Sequence, residues 1–165
     1  MIGNKAEYFL KTLIALARRQ GEGYLTSREI AVSQDIPPKY MPQIVAELGR
    51  VGWVETSRGP KGGIRLAVDP GRIAVAQVID LAEGGFSIKG CLFADPSCRL
   101  TASCPLYPVW QEAQAALEAV FRRYTMADLA ARVVAGMYRK PEAAEGNGVE
   151  GAVDQRDGGD SARRK

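Results

Sequence analysis

Histidine is absent from all 165 residues, and cysteine occurs only three times. The first absence removes the commonest general base and the imidazole metal ligand, so histidine-dependent hydrolytic and nucleophilic chemistry is excluded. No nucleotide-binding glycine loop and no carboxylate pair in a catalytic setting takes its place, and the chain does not read as an enzyme. Long apolar runs are also missing. None approaches the roughly 18 residues that a membrane-spanning helix requires, so no membrane partner is expected. "MIGNKAEYFL" places Lys5 and Glu7 where a signal peptide would carry its apolar centre, and a cytoplasmic location is expected. Few cysteines in such a compartment point to free thiols, a metal or redox chemistry rather than to a disulfide framework.

What is present suffices for one compact core: 46% of the residues are hydrophobic and 25% charged. The net charge of +3 is unevenly spread. From Glu142 to Lys165, six acids stand against four bases, which leaves the preceding residues at +5. That tail, rich in glycine, alanine and charge, has almost nothing to bury and is expected to be disordered over 139–165. The mildly basic body is compatible with a nucleic-acid partner.

Hydrophobic periodicity orders the remainder. Ala6, Phe9, Leu10, Leu13, Ile14, Leu16 and Ala17 recur at helical spacing from about Asn4 to Gln20, and Gly21 and Gly23 end the run. "TSRE" is a capping box in which Thr26 and Glu29 start a short second helix ending near Gln34. "DIPPKYMPQIVAELGRVGW" gives a third, with Tyr40, Met41, Ile44, Val45 and Leu48 on one face and Gly52 as its stop. Two short helices joined by a tight turn fit a helix-turn-helix. "WVETSR" and "GIRLAV", alternating and separated by "GPKG", form a hairpin, and a hairpin in this position is a wing. A fourth helix is expected from Arg72 to Glu83. From Pro108, Val109, Ala113, Ala116, Leu117, Val120 and Tyr124 keep near-heptad spacing on a long helix, and Thr125 with Asp128 caps a further piece running to about Tyr138. Such a seam pairs with a second copy of itself, or else folds back on its own domain.

The expected class is therefore mainly α with a small β-hairpin: a winged helix-turn-helix domain plus a long dimerisation helix. The boundaries are 1–83 for the winged domain, 84–106 for a cysteine loop, 107–138 for the dimerisation helix with a short C-terminal helix, and 139–165 for the tail. All three cysteines fall within "CLFADPSCRLTASCP", as Cys91, Cys98 and Cys104. Glycines and prolines at 84, 85, 90, 96 and 105 deny that stretch regular structure. A metal-free thiol switch, a zinc site completed by a fourth ligand, buried structural cysteines and an iron–sulfur cluster are all chemically open.

"IPPKYMPQIVAELGRVGWVETSRGPKGGIRLAVDPGRIAVAQVIDLAEG" and "CPLYPVWQEAQ" resemble the Rrf2 family of bacterial transcription regulators, over about Asn4 to Ala130. The resemblance implies a homodimer whose long helices cross, at a seam of Val109, Ala113, Leu117, Val120 and Tyr124, bound to double-stranded DNA at a palindromic operator. It also implies an iron–sulfur cluster, a four-iron form being favoured with a two-iron form as the alternative, held by Cys91, Cys98 and Cys104 and controlling DNA affinity in response to nitric oxide, oxygen, iron or redox state. Some members place a histidine where this chain has Tyr107, so a fourth ligand must come from elsewhere. Glu7 matches a carboxylate that nitric-oxide-sensing members contribute from the other subunit. Its alternative role is a solvated first-turn acid favoured by the helix dipole, and Asp95, Tyr107, water or a small thiol compete for the position.

In such a protein the second helix of the motif enters the major groove with its N-terminal residues leading. Lys39, Tyr40 and Gln43 lie there, and Gln43 can form paired hydrogen bonds to adenine. Ser27 and Arg28, after Thr26, are placed for phosphates. In the wing, Arg58 matches the family's minor-groove arginine, with Lys61 and Arg65 nearby. Pro42 stands where some members have an acidic residue, and it removes a backbone donor, so the helix starts late or kinks. The competing class is a winged-helix protein-interaction module with a structural zinc or a metal-free thiol switch.

Overall fold

The computed structural model describes residues 2–93 and 103–132. Six helices and one hairpin are laid out in chain order: α1 (Asn4–Arg18), α2 (Ser27–Gln34), α3 (Met41–Arg50), β1 (Val54–Ser57), β2 (Gly63–Leu66), α4 (Val75–Glu83), α5 (Tyr107–Arg123) and α6 (Met126–Arg132). Short 3-10 turns at Pro38–Tyr40, Pro70–Arg72 and Gly90–Phe93 connect them. This is the mainly helical, winged architecture that the sequence predicts. The tail at 139–165 and the end of the predicted helix near Tyr138 lie outside the described residues, as do Asp95 and Cys98.

The central helix is α1. Ala6, Phe9, Leu13 and Ala15 are fully buried along it, and it packs against α2, α3, α4, α6 and the hairpin. Removing a ring as deeply enclosed as that of Phe9 costs about 3–5 kcal/mol in comparable cores, because a cavity remains. Met41, Ile44 and Leu48 close the core from α3, and Val78 and Ile79 from α4. Met126, wholly buried at the start of α6, docks the C-terminal helix back onto the winged domain.

Local chemistry sets most boundaries. Thr26 Oγ1 accepts from the Glu29 N–H at 3.1 Å, and the Thr26 N–H donates to the Glu29 carboxylate at 2.7 Å, which completes the predicted box. Asp35, left-handed at φ 53°, ends α2, and the buried Ile36 donates its N–H to the Ala31 carbonyl. Pro42 falls in the first turn of α3, where no amide hydrogen is needed, behind the 3-10 turn. The helix does start late, at Met41.

Two boundaries differ from expectation. The fourth helix begins at Val75 rather than Arg72, because Ile73 is extended and bridges to the C-terminal segment: Met126 donates its N–H to the Ile73 carbonyl, and Val75 donates to that of Tyr124. Tyr124, expected on the helical seam, consequently leaves it. It is the extended residue that ends α5, partly buried against the core.

The hairpin pairs Val54 with Leu66, Glu55 with Arg65, Thr56 with Ile64 and Ser57 with Gly63. Leu25 adds a further antiparallel bridge to Ile64, with amide-to-carbonyl bonds of 2.9 and 2.7 Å. A Cβ on Gly63 would collide with the Leu25 carbonyl, and one on Gly62 with that of Ser57. The glycine pair is thus required for the wing to close against the chain entering α2. No helix of the described residues is long and apolar enough to cross a membrane.

Candidate nucleic-acid interface and cysteine segment

Ser27, Arg28, Lys39, Tyr40, Gln43, Arg58, Lys61 and Arg65 are all exposed. Ser27 and Arg28 open α2 directly after its cap, where free amide hydrogens and the positive helix end favour an anion. Tyr40 is the N-cap of α3 and Gln43 lies in its first turn, so both stand at the N-terminal end of that helix. The Tyr40 ring packs against Tyr8 of α1 with centroids 5.4 Å apart, and the Lys39 ammonium sits 5.1 Å from the Tyr40 centroid.

Within the wing the three cations are not equivalent. Arg65 Nε donates to Glu55 Oε1 at 2.5 Å, Tyr24 donates its hydroxyl to the same oxygen at 3.1 Å, and the guanidinium covers the Tyr24 ring. The Arg65 hydrogen bond, followed by that of Tyr24, holds the Glu55 carboxyl below the usual carboxylate range. The pair is neutral as a unit. Arg58 and Lys61, at the hairpin tip, have no ion pair among the described residues.

Cys91 lies in the 3-10 turn Gly90–Phe93, and Cys104 stands just before α5; both are free thiols and partly exposed. Each is tied to α5. The Tyr107 N–H donates to the Cys104 carbonyl at 3.1 Å, while the turn carrying Cys91 packs against the helix. Gln114 of α5 accepts from the Ile88 N–H at 3.0 Å and donates to the Phe86 carbonyl at 2.9 Å, so one side-chain amide grips the irregular segment leading to Cys91. The Lys89 ammonium lies 5.6 Å from the Trp110 ring centroid beside it.

Glu7 is exposed on the first turn of α1 and paired with Lys11 at 2.6 Å. Among the described residues no three His, Cys, Asp or Glu side chains gather as a metal site, so Glu7, Cys91 and Cys104 of one chain do not assemble one by themselves. Tyr107 opens α5, three residues after Cys104. Glu83, at the end of α4, accepts the Gly3 N–H at 2.9 Å and joins the start of α1 to the residue preceding the cysteine segment.

Along α5 no residue is buried, although Val109, Leu117 and Val120 are apolar; they are 54%, 37% and 41% exposed. Ala113 lies between them, half-buried. Phe121 turns inward onto Phe86 with an edge-on contact at 5.6 Å. The helix therefore carries one line of contact to α4 and a second apolar line facing outward.

Sequence reasoning missed Lys5, Glu47, Glu55 and Gln114. The Gln43–Glu47 contact has helical i, i+4 spacing, and Glu55–Arg65 follows from the hairpin register; both were readable in principle. The contacts of Lys5 with Glu47 and of Gln114 with Ile88 and Phe86 are tertiary and carry no local signal.

The Rrf2 family model, described as an iron-dependent transcriptional regulator, matches residues 2–132. The HTH-type transcriptional regulator NsrR of Bacillus subtilis is 35% identical over 127 residues, which are 76% of this chain and 87% of that protein. CymR of B. subtilis, the global cysteine regulator, superposes with a TM-score of 0.68 at 28% identity, covering 81% of this chain and 98% of that one. IscR of T. potens gives 0.62 at 26% identity, over 82% and 93% of the two chains. On the family match, the sequence identity and the shared fold, this chain belongs to the Rrf2 family of transcriptional regulators.

Proposed function

We propose that this regulator works as a cytoplasmic homodimer on a palindromic DNA site, with its affinity set by an iron–sulfur cluster held by Cys91, Cys98 and Cys104. The observation that carries the reading is the pair of unbonded, partly exposed thiols, Cys91 and Cys104, each tied by its backbone surroundings to α5. The donor set fits such a group: thiolates are the preferred ligands of iron–sulfur clusters. When bound, the cluster would supply a redox- and nitric-oxide-sensitive centre; a four-iron form is favoured over a two-iron form. The family's description as iron-dependent and the resemblance to NsrR support this choice over zinc.

Glu7 from the other subunit is the favoured fourth ligand. Its carboxylate must first leave Lys11, and an oxygen donor binds iron more weakly than thiolate does, so this position is the labile one. The outward line of Val109, Ala113, Leu117 and Val120 supplies the dimer contact that brings the second subunit's α1 within reach. Tyr124 ends α5 in extended conformation, beyond that line.

On DNA, Ser27, Arg28, Lys39, Arg58 and Lys61 take phosphates or the minor groove, and Tyr40 and Gln43 face base edges. Arg65 acts mainly by shaping the wing through Glu55. Anoxic purification with iron and acid-labile sulfide analysis tests the reading. Wild type should carry both elements, and Cys91→Ala and Cys104→Ala should lose them. Zinc without sulfide, or no metal at all, would replace this reading with a structural zinc or a metal-free thiol switch.

A further inference from the structure

The first turn of the reading helix is held by a two-step contact reaching in from α1. Gln43 Nε2 donates to Glu47 Oε1 at 2.9 Å, and the other oxygen, Oε2, receives the Lys5 ammonium at 2.8 Å. We propose that Lys5 and Glu47 are positioning residues for base reading, fixing the amide of Gln43 so that it presents one donor and one acceptor to a single base pair. The inference rests on the assignment of α3 as the reading helix.

The chemistry of the pair explains why each member is needed. An ionised carboxylate has no proton to give, so it must face the NH2 end of the glutamine amide and never its oxygen. The amide cannot then flip. Its oxygen and second N–H are left for a ligand on this exposed residue, the pair that matches the N6 donor and N7 acceptor of adenine. Glutamine left to itself would sample both orientations and several rotamers, and ordering it on binding would cost entropy. Glu47 alone would create a different difficulty: a negative charge one turn from the reading residue, opposed to DNA phosphates. Lys5 removes it. The Glu47 side chain is only 16% exposed, and the Lys5 hydrogen bond holds its carboxyl below the usual range, so it stays ionised and paired. Tyr8, beside Lys5 on α1, packs in a tilted contact on Tyr40, so α1 also braces the N-cap of α3.

The test selects sequences from a randomised duplex pool with the full chain, then measures binding of the selected duplex and of its single-base variants. Gln43→Ala should abolish preference at one base pair per half-site. Glu47→Ala should lose at least tenfold of discrimination at that same base pair and keep the other preferences. Glu47→Gln, whose amide oxygen can still accept from Gln43, should retain most of that discrimination. Lys5→Met should weaken binding to every duplex severalfold, and Lys5→Met with Glu47→Gln should recover it, because the uncompensated charge is gone. Unchanged base preferences in Glu47→Ala, or a loss at a base pair other than the one Gln43 reads, would overturn the proposal. So would a Lys5→Met defect that Glu47→Gln does not relieve. If wild type enriches no sequence from the pool, the DNA-reading assignment itself fails, which is a separate result from failure of the brace.

Discussion

The side-chain amide of Gln114 accepts the backbone N–H of Ile88 at 3.0 Å, across 26 residues of chain. Its nitrogen is committed to the Phe86 carbonyl and to Glu118, so the grip is two-sided and directional. Through it, the helix that follows the last cysteine holds the irregular segment that precedes the first.

Gln114→Ala leaves two partly buried backbone groups without their partner. A loss of about 1–3 kcal/mol is expected from such groups, together with faster hydrogen exchange at the Ile88 amide. Gln114→Glu keeps the acceptor for Ile88 and should protect that amide while still losing the bond to Phe86. Unchanged exchange at Ile88 in the alanine variant would show that the grip does not hold in solution.

The wing yields a comparison between two arginines. Arg58→Ala should lower DNA affinity and flatten its dependence on salt by roughly one counterion, since an uncompensated cation is removed. Arg65→Ala removes a cation already balanced by Glu55, so its change in salt slope should be smaller than that of Arg58→Ala. Titrations at four or five salt concentrations read both slopes. Equal slopes for the two variants would contradict the neutral-pair reading.

Much of this was legible before any coordinates. The Thr26–Glu29 and Thr125–Asp128 boxes, the glycine stop at Gly52 and the apolar stripe of α3 are written in spacings of three and four residues. Each is fixed by neighbours in the chain. The shift of the fourth helix from Arg72 to Val75, and the loss of Tyr124 from the long seam, follow from one bridge between segments about fifty residues apart. No local period encodes that bridge. The brace on Gln43 is half readable for the same reason: Glu47 is one turn away, whereas Lys5 arrives from another helix. Cys98 is read from the sequence alone, because it lies outside the described residues.

Acid should expose the cap of α2. The Thr26 backbone hydrogen bond, then its side chain, lowers the Glu29 carboxyl below its ordinary value. A depressed folded-state value means that the carboxylate stabilises the fold fully above the unfolded value, about 4.3, and that this is lost as pH falls through the folded value. Wild type should exceed Glu29→Gln by up to about 1 kcal/mol at pH 7, and the gap should close below about pH 4. Thermal unfolding of both proteins from pH 3 to 7 measures it; a gap independent of pH would remove the charge from the explanation.

Association is expected to depend on the outward line of α5. Leu117→Glu places a charge where the proposed contact must be dry, and a buried unpaired charge of this kind costs several kcal/mol. Light scattering should give a dimer for wild type and a monomer for the variant at micromolar concentration. The variant's helical circular dichroism should stay the same, since Leu117 is 37% exposed in the single chain. A monomeric wild type would reject the dimer.

The central claim is that one cluster, held by Cys91, Cys98 and Cys104, governs DNA affinity. The most direct measurement is anoxic titration of a single selected duplex, at one salt concentration, with the loaded protein and with the same preparation after the iron has been removed. The two forms should differ at least tenfold in affinity, about 1.4 kcal/mol, and Cys104→Ala should bind like the stripped form whether or not iron and sulfide are supplied. Equal affinity of the loaded and stripped proteins would contradict the account.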